Sequence, residues 1–334
     1  MNILFSSTVQ WNVGDEFILR GVMSALREAG VSFNPVLFNR NPAVSTPWNP
    51  RWAWPRRPYT PPENSAQLTA DDPVDYVIFA GTPEWTSGVR ASRLHEFILR
   101  RKLRCAFLGV GLGNAVTPDE SLSRILRDQT DLFMARDQLA LAAASPHVAA
   151  EKCSCPAILC CAEAEPRPAR PRKVGLVIQA DQTLWQSVPT KVMHYLLQQY
   201  REISARYETV YIAHYLDDLK LAQKLGLPCR YSFRAEDYEG LFKDCDLVVT
   251  ARVHGAGIAA SLGIPSILIA HDGRAETGTG FGAIVTPPDT ELLPLIESTD
   301  WAQRSQDIIA LKHSVRATYV AKLRAIPALG VATQ

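Results

Sequence analysis

The sequence has no apolar run approaching the ~20 residues that a bilayer-spanning helix needs. Its opening, MNILFSSTVQWNVGDEF, lacks a basic segment and a long apolar stretch, so it reads as a first buried strand rather than a secretory signal, and a cytoplasmic protein is expected. It also lacks charge of one sign: 35 Lys and Arg face 34 Asp and Glu, leaving +1. That excludes a broad basic field for nucleic acid or an anionic membrane, so any anion must be bound at a local site. The seven cysteines are odd in number and irregularly spaced, which argues against a secreted disulfide framework.

What is present is ordinary globular chemistry. Hydrophobic residues make up 47% and charged residues 21% of 334, enough for two domains of usual size. Short apolar runs alternate with amphipathic segments. Strands are expected at 2–5, 75–80, 105–110 and 131–135, with helices at 15–29, 93–102, 122–128 and 138–144. The proline-rich segment 162–173 breaks this rhythm as a stiff connector. The alternation then restarts with strands at 174–179, 209–213, 247–250 and 265–270 and helices at 191–207, 218–225, 235–242 and 254–262. The pattern predicts α/β architecture with parallel sheets covered on both faces. Residues 1–161 are expected to form one Rossmann-like domain and 174–300 a second, with a final helix at about 301–323 within 301–334.

The segment 41–67 interrupts the first domain. It is rich in proline and carries Trp48, Trp52, Trp54, Tyr59, Arg51, Arg56 and Arg57. Rigid aromatics with arginines suit a sugar-like or anionic acceptor. The same composition suits a braced surface loop covering the domain or a neighbouring subunit, which leaves a homo-oligomer open.

The chemistry concentrates in Asp246–Ala270, DLVVTARVHGAGIAASLGIPSILIA. An apolar strand runs through Ala251-Arg252-Val253-His254-Gly255 into a helix of small residues. Ligands of open α/β sheets sit beyond the carboxyl ends of strands, and a helix starting there offers free N–H groups to an anion. Arg252 has the fork to grip a carboxylate or phosphate, and His254 titrates in the range needed to move a proton. The same residues also fit a generic turn with a surface arginine and a core histidine.

The block ARVHGAGIAASLGIPSILIAHDGR resembles the C-terminal signature of the polysaccharide pyruvyl transferase family. Asn12-Val13-Gly14-Asp15-Glu16 is similar to that family's opening, Gly109–Gly113 to its glycine-rich turn, Arg136-Asp137 to its mid-chain pair, and Cys155-Pro156 to its later step. The landmarks come in the family's order over residues 1 to about 275. The resemblance implies a GT-B-like architecture, two facing Rossmann-like domains with a central cleft and the C-terminal helix crossing back to the N-terminal domain. It implies transfer of a pyruvyl group from phosphoenolpyruvate to a saccharide or related hydroxyl, with the acceptor on the N-terminal side and the donor on the C-terminal side. Arg252 would then hold the donor anion and His254 would serve as acid or ligand, with Asn12 and Gly14 at the same site and no cofactor or metal required. Three positions depart from the pattern: Gly81-Thr82-Pro83 replaces a triple glycine, Gln179 stands where an arginine is usual, and Arg274 where a lysine is. The Gln179 departure keeps open a glycosyltransferase using a nucleotide sugar; a non-catalytic binding protein on the same fold, in which Arg252 and His254 would be dispensable, is a further alternative.

Asp15 and Glu16 open the first helix as candidate bases, although acidic residues favour that position anyway. His214 and His271 end strands, as loop histidines or as lining for the substrate. Cys153, Cys155, Cys160 and Cys161 flank an apolar stretch expected as a strand, whose alternation would keep them from sharing one metal. Buried thiols are the expected reading.

Overall fold

A computed structural model describes residues 1–9, 12–40, 73–83, 85–86, 89–183, 186–232 and 234–330. The proline- and tryptophan-rich segment 41–67 lies outside the described residues. The chain divides into two compact units.

Unit 1 comprises Met1–Trp11, Ile18–Cys160 and Val315–Gln334. Its sheet contains β1 (Asn2–Ser7), β2 (Asn34–Asn39), β3 (Tyr76–Ala80), β4 (Arg104–Val110), β5 (Thr130–Ala135) and β6 (Ala150–Lys152), in the order β2-β1-β3-β4-β5-β6. Every pairing is parallel. Runs such as YVIFA are wholly buried, as strands covered on both faces must be. Leu4, Val77, Phe79, Phe107 and Phe133 pack with residues of α2 (Val89–Arg101) and α3 (Glu120–Asp128) in one core. The first helix is α1 (Val13–Ala29), and α4 (Gln138–Ala144) follows β5.

β2 and β6 escaped the sequence reading. β2 is an edge strand that carries Pro35 and is half exposed, so its hydrophobic signal is diluted. β6 has only three residues. The stretch between the cysteines is also not a strand. Pro156–Leu159 is a 3-10 turn, started by a proline whose fixed φ suits a first helical position. Cys155, Cys160 and Cys161 are buried thiols, Cys153 is half-buried, and all are unbridged. Among the described residues, no three His, Cys, Asp or Glu side chains group to hold a metal ion.

Three of the sequence landmarks meet inside this unit. Gly111 lies so close to Arg136 and Asp137 that a Cβ would overlap both. Asp137 accepts from Leu112 N (2.9 Å) and from Ala140 N (2.9 Å), tying the glycine-rich turn to the start of α4. Arg136 Nη1 reaches Cys155 Sγ at 3.8 Å.

Unit 2 comprises Asn12–Phe17 and Cys161–Ser314. Its main strands are β7 (Lys173–Val177), β10 (Glu208–Ile212), β11 (Cys229–Arg230), β12 (Leu247–Thr250), β13 (Ser266–Ile269) and β14 (Ile284–Thr286). A small antiparallel pair, β8 (Gln182–Thr183) with β9 (Gln186–Ser187), follows β7. The main sheet is parallel with order β11-β10-β7-β12-β13-β14. In its own strand count this is the 3-2-1-4-5-6 order of a Rossmann sheet, and the order reverses between β7 and β12. The helices are α5 (Thr190–Ser204), α6 (Leu216–Lys224), α7 (Tyr238–Phe242), α8 (Val253–Ser261), α9 (Glu276–Thr279), α10 (Leu292–Ser298) and α11 (Trp301–Arg324). Val192, Leu196, Tyr200, Val249 and Trp301 anchor its core.

Residues 162–173 group with unit 2 and are held there. Arg167 donates from its backbone N to Ser305 Oγ (3.0 Å) and from Nη1 to Lys243 O (2.9 Å). The buried Lys312 Nζ donates to the carbonyls of Cys161, Ala162 and Ser261. Residues 301–314 of α11 belong to unit 2 and 315–324 to unit 1, where Tyr319 Oη donates to Ser154 O (3.0 Å). Among the described residues, no helix is long and apolar enough to cross a membrane.

Candidate functional site

Unit 2 reverses its strand order between β7 and β12, and the carboxyl ends of both strands carry candidate residues. β7 leads to Gln179 and β12 to Arg252. All four residues of β12 are buried, so the turn beyond it starts from a rigid base. Thr250 Oγ1 accepts from Arg252 N (2.8 Å) and donates to Arg252 O (3.0 Å), which fixes the turn. Arg252 itself is extended (φ −97°, ψ 119°) and caps α8, whose first residue is Val253. A Cβ at Gly255 would meet Thr250 Oγ1 at 2.6 Å, so the residue after His254 must be the smallest.

The Arg252 guanidinium is 7% exposed and held on two sides. Its Nη2 donates to Asp218 Oδ1 (2.6 Å), and its face lies 4.2 Å from the centre of the Tyr215 ring. Asp218 is fully buried at the start of α6. It also accepts from Ala180 N (2.9 Å) and Tyr215 N (3.1 Å). Arg252 and Asp218 therefore bridge the two strands at the reversal point as a charge-balanced pair. Among the described residues, Arg252 Nε is buried with no hydrogen-bond partner.

The opening motif joins this cluster. Tyr215 Oη donates to Asn12 Oδ1 (3.0 Å), and the same oxygen accepts from Gly14 N (3.1 Å). Burial pushes the Tyr215 phenol up to about 12, and Arg252 opposes the rise, so the hydroxyl keeps its proton. The His254 ring sits against Gly14, where a Cβ would overlap three ring atoms. Asp15 and Glu16 follow in the first turn of α1, Glu16 buried and Asp15 half-buried, both with amides directed to Asn12 O.

The side chains of the other sequence candidates bond or pack against different groups. His214 is 2% exposed, boxed edge-on by Phe17 and Tyr238. Burial, helped by Arg252, pulls its imidazole down to about 3, so it is a neutral core histidine. Gln179 is buried and turns its Nε2 onto Ala180 O (2.9 Å). His271 Nε2 donates to Ala251 O (3.2 Å), which places the ring under the Arg252 turn, and burial lowers its pKa. Arg274 pairs with Asp272 through Nε and Nη2. Burial alone would raise the Asp272 carboxyl, but the Arg274 pair outweighs it and the net shift is downward.

Tyr215 and Asp218 were missed in the sequence. Asp218 is a first-turn acidic residue of a helix and so looks like an ordinary dipole partner. Tyr215 beside it looks like a strand-end aromatic. Only the register of β10 beside β7 brings both under Arg252.

Comparison with known families decides what this cluster belongs to. The sequence model of the family described as polysaccharide pyruvyl transferase matches residues 12–273. The chain belongs to the polysaccharide pyruvyl transferase family. The match runs from Asn12 of the opening motif past the Arg252–His254 turn, so this family member contains both halves of the cluster. No curated protein sequence matches it. Solved structures resemble it in fold at very low identity. S. aureus MnaA with UDP has a TM-score of 0.51 at 9% identity, covering 94% of this chain and 90% of that one. A putative UDP-N-acetylglucosamine 2-epimerase from Listeria monocytogenes has 0.51 at 11%, covering 96% and 90%. The UDP-GlcNAc 2-epimerase of Methanocaldococcus jannaschii has 0.51 at 11%, covering 94% and 100%. The family member thus has the α/β, GT-B-like fold expected from its sequence.

Proposed function

We propose that this protein transfers a pyruvyl group from phosphoenolpyruvate to a saccharide or related hydroxyl acceptor, forming a ketal. The observation that carries the reading is the family match over residues 12–273, whose opening and closing landmarks meet at Gly14 and His254. In this reaction the methylene carbon of phosphoenolpyruvate takes a proton. Two acceptor oxygens bond to the central carbon, phosphate leaves with the electrons of its C–O bond, and the hydroxyl protons balance the account. Arg252 is the residue suited to the donor's carboxylate or phosphate, and His254 to the proton. Asn12, Gly14, Asp15 and Glu16 belong to the same neighbourhood, whereas Gln179, His214, His271 and Arg274 make their contacts with other groups and are assigned no step.

Phosphate release from phosphoenolpyruvate in the presence of a panel of saccharides, with mass spectrometry of the acceptor, tests the proposal. Release coupled to a pyruvylated product supports it. Folded protein that releases no phosphate with any acceptor, and does not bind phosphoenolpyruvate, rejects it.

A second reading has its own observation. The solved structures of similar fold include one holding UDP, and Gln179 stands where the family usually has an arginine. A nucleotide-sugar transferase would be stabilised against heat by UDP and indifferent to phosphoenolpyruvate.

A further inference from the structure

We propose that Tyr215 is a positioning residue for Arg252, tying the Asn12–Gly14 turn to the guanidinium that receives the donor anion. The inference deepens the donor-anion reading of Arg252 and rests on it.

Tyr215 touches both halves of the cluster. Its ring covers one face of the Arg252 guanidinium at 4.2 Å, and its backbone N donates to Asp218 Oδ2 (3.1 Å). Asp218 Oδ1 meanwhile takes Arg252 Nη2 (2.6 Å). Asp218 thus binds one tooth of the arginine fork through Oδ1 while Oδ2 accepts from Tyr215 N, and Arg252 Nε is unpartnered among the described residues. At its other end, Tyr215 Oη donates to Asn12 Oδ1, the oxygen that also accepts from Gly14 N. Gly14 in turn carries the His254 ring. One neutral side chain therefore links the arginine to the backbone on which the histidine rests. A phenol suits this place because it stacks on a planar cation and supplies a donor without adding a charge that would compete for the anion.

A residue that merely filled the core would change stability without changing anion affinity selectively. Tyr215→Phe separates the two, since it keeps the ring and removes one oxygen. Titration calorimetry with phosphoenolpyruvate, and with UDP as a second probe, is measured on wild type, Tyr215→Phe, Tyr215→Leu, Asn12→Ala and the Asn12→Ala/Tyr215→Phe double variant, at temperatures where all are folded. The expected result is a loss of about 3–10-fold in affinity for Tyr215→Phe, the worth of one hydrogen bond, and a larger loss for Tyr215→Leu. Asn12→Ala should weaken binding less in the Tyr215→Phe background than in wild type. Unchanged affinity in Tyr215→Phe, or strictly additive losses in the double variant, overturns the inference. If wild type binds UDP and not phosphoenolpyruvate, the donor assignment fails while the positioning role is judged by the same comparison with UDP. If neither binds, both fall.

Discussion

The ring of His254 rests on Gly14 so closely that a Cβ there would overlap Nδ1, Cγ and Cε1 of the imidazole. Two sequence blocks from opposite ends of the family match are thus joined by direct contact. Gly14→Ala would push the imidazole aside without touching the buried strands. Under the proposed role of His254, turnover should fall roughly 10²-fold, with little change in melting temperature. Steady-state phosphate release and a thermal melt check both halves, and undiminished turnover would show that the position of His254 is immaterial.

Arg252 and Asp218 should behave differently when changed. Arg252→Lys keeps the charge but loses the planar face stacked on Tyr215 and the fork, so phosphoenolpyruvate should bind about 10-fold more weakly or worse. Asp218→Ala leaves a buried guanidinium without its counter-charge and should cost about 3–5 kcal/mol of folding stability. Urea unfolding reads the second effect and calorimetry the first. An Asp218→Ala protein as stable as wild type would mean that Arg252 finds compensation elsewhere.

His214 makes stability depend on pH with a definite sign. Burial holds its folded-state pKa at about 3, against 6.5 ordinarily. Below pH 6.5 the unfolded chain takes up a proton that the folded one refuses. Its contribution is therefore present above 6.5 and is lost as pH falls from there toward 3, by up to about 1.4 kcal/mol per pH unit. His95 and His271 shift in the same direction, also by burial, and add to the trend. His214→Phe should flatten the slope of unfolding free energy between pH 6.5 and 5. An equal slope in the variant would contradict a neutral buried imidazole.

Two backbone positions predict opposite changes in stability. A Cβ at Gly21 would collide with the Pro156 carbonyl, so Gly21→Ala should destabilise by about 1–3 kcal/mol. Lys102 adopts φ 54° at an exposed turn, a conformation that costs a side chain roughly 1–2 kcal/mol. Lys102→Gly relieves it at the expense of backbone entropy and should gain about 0.5–1 kcal/mol. Denaturant midpoints decide both.

Most of the fold was legible because its strands are buried on both faces and read as continuous apolar runs: YVIFA, RCAFLGV and LVVT leave no other reading. What escaped was short or at an edge. β2 carries a proline, and β11 has two residues. The Arg252–His254 turn was legible because its chemistry is local to one strand end. Tyr215 and Asp218 were not, because their role comes from the parallel pairing of β10 with β7, which no local pattern encodes. His214 misled for the reverse reason. Its position at a strand end suggests a ligand, whereas Phe17, Tyr238 and Phe242 enclose it.

In the proposed function His254 moves a proton at a site where Arg252 holds phosphoenolpyruvate. The most direct measurement is single-turnover phosphate release from phosphoenolpyruvate with a saccharide acceptor, comparing wild type with His254→Ala and His254→Gln. Both variants are expected still to bind the donor, with His254→Ala turning over about 10²–10⁴-fold more slowly and His254→Gln failing to restore the rate. Wild-type rates in both variants would contradict it and make His254 a structural residue.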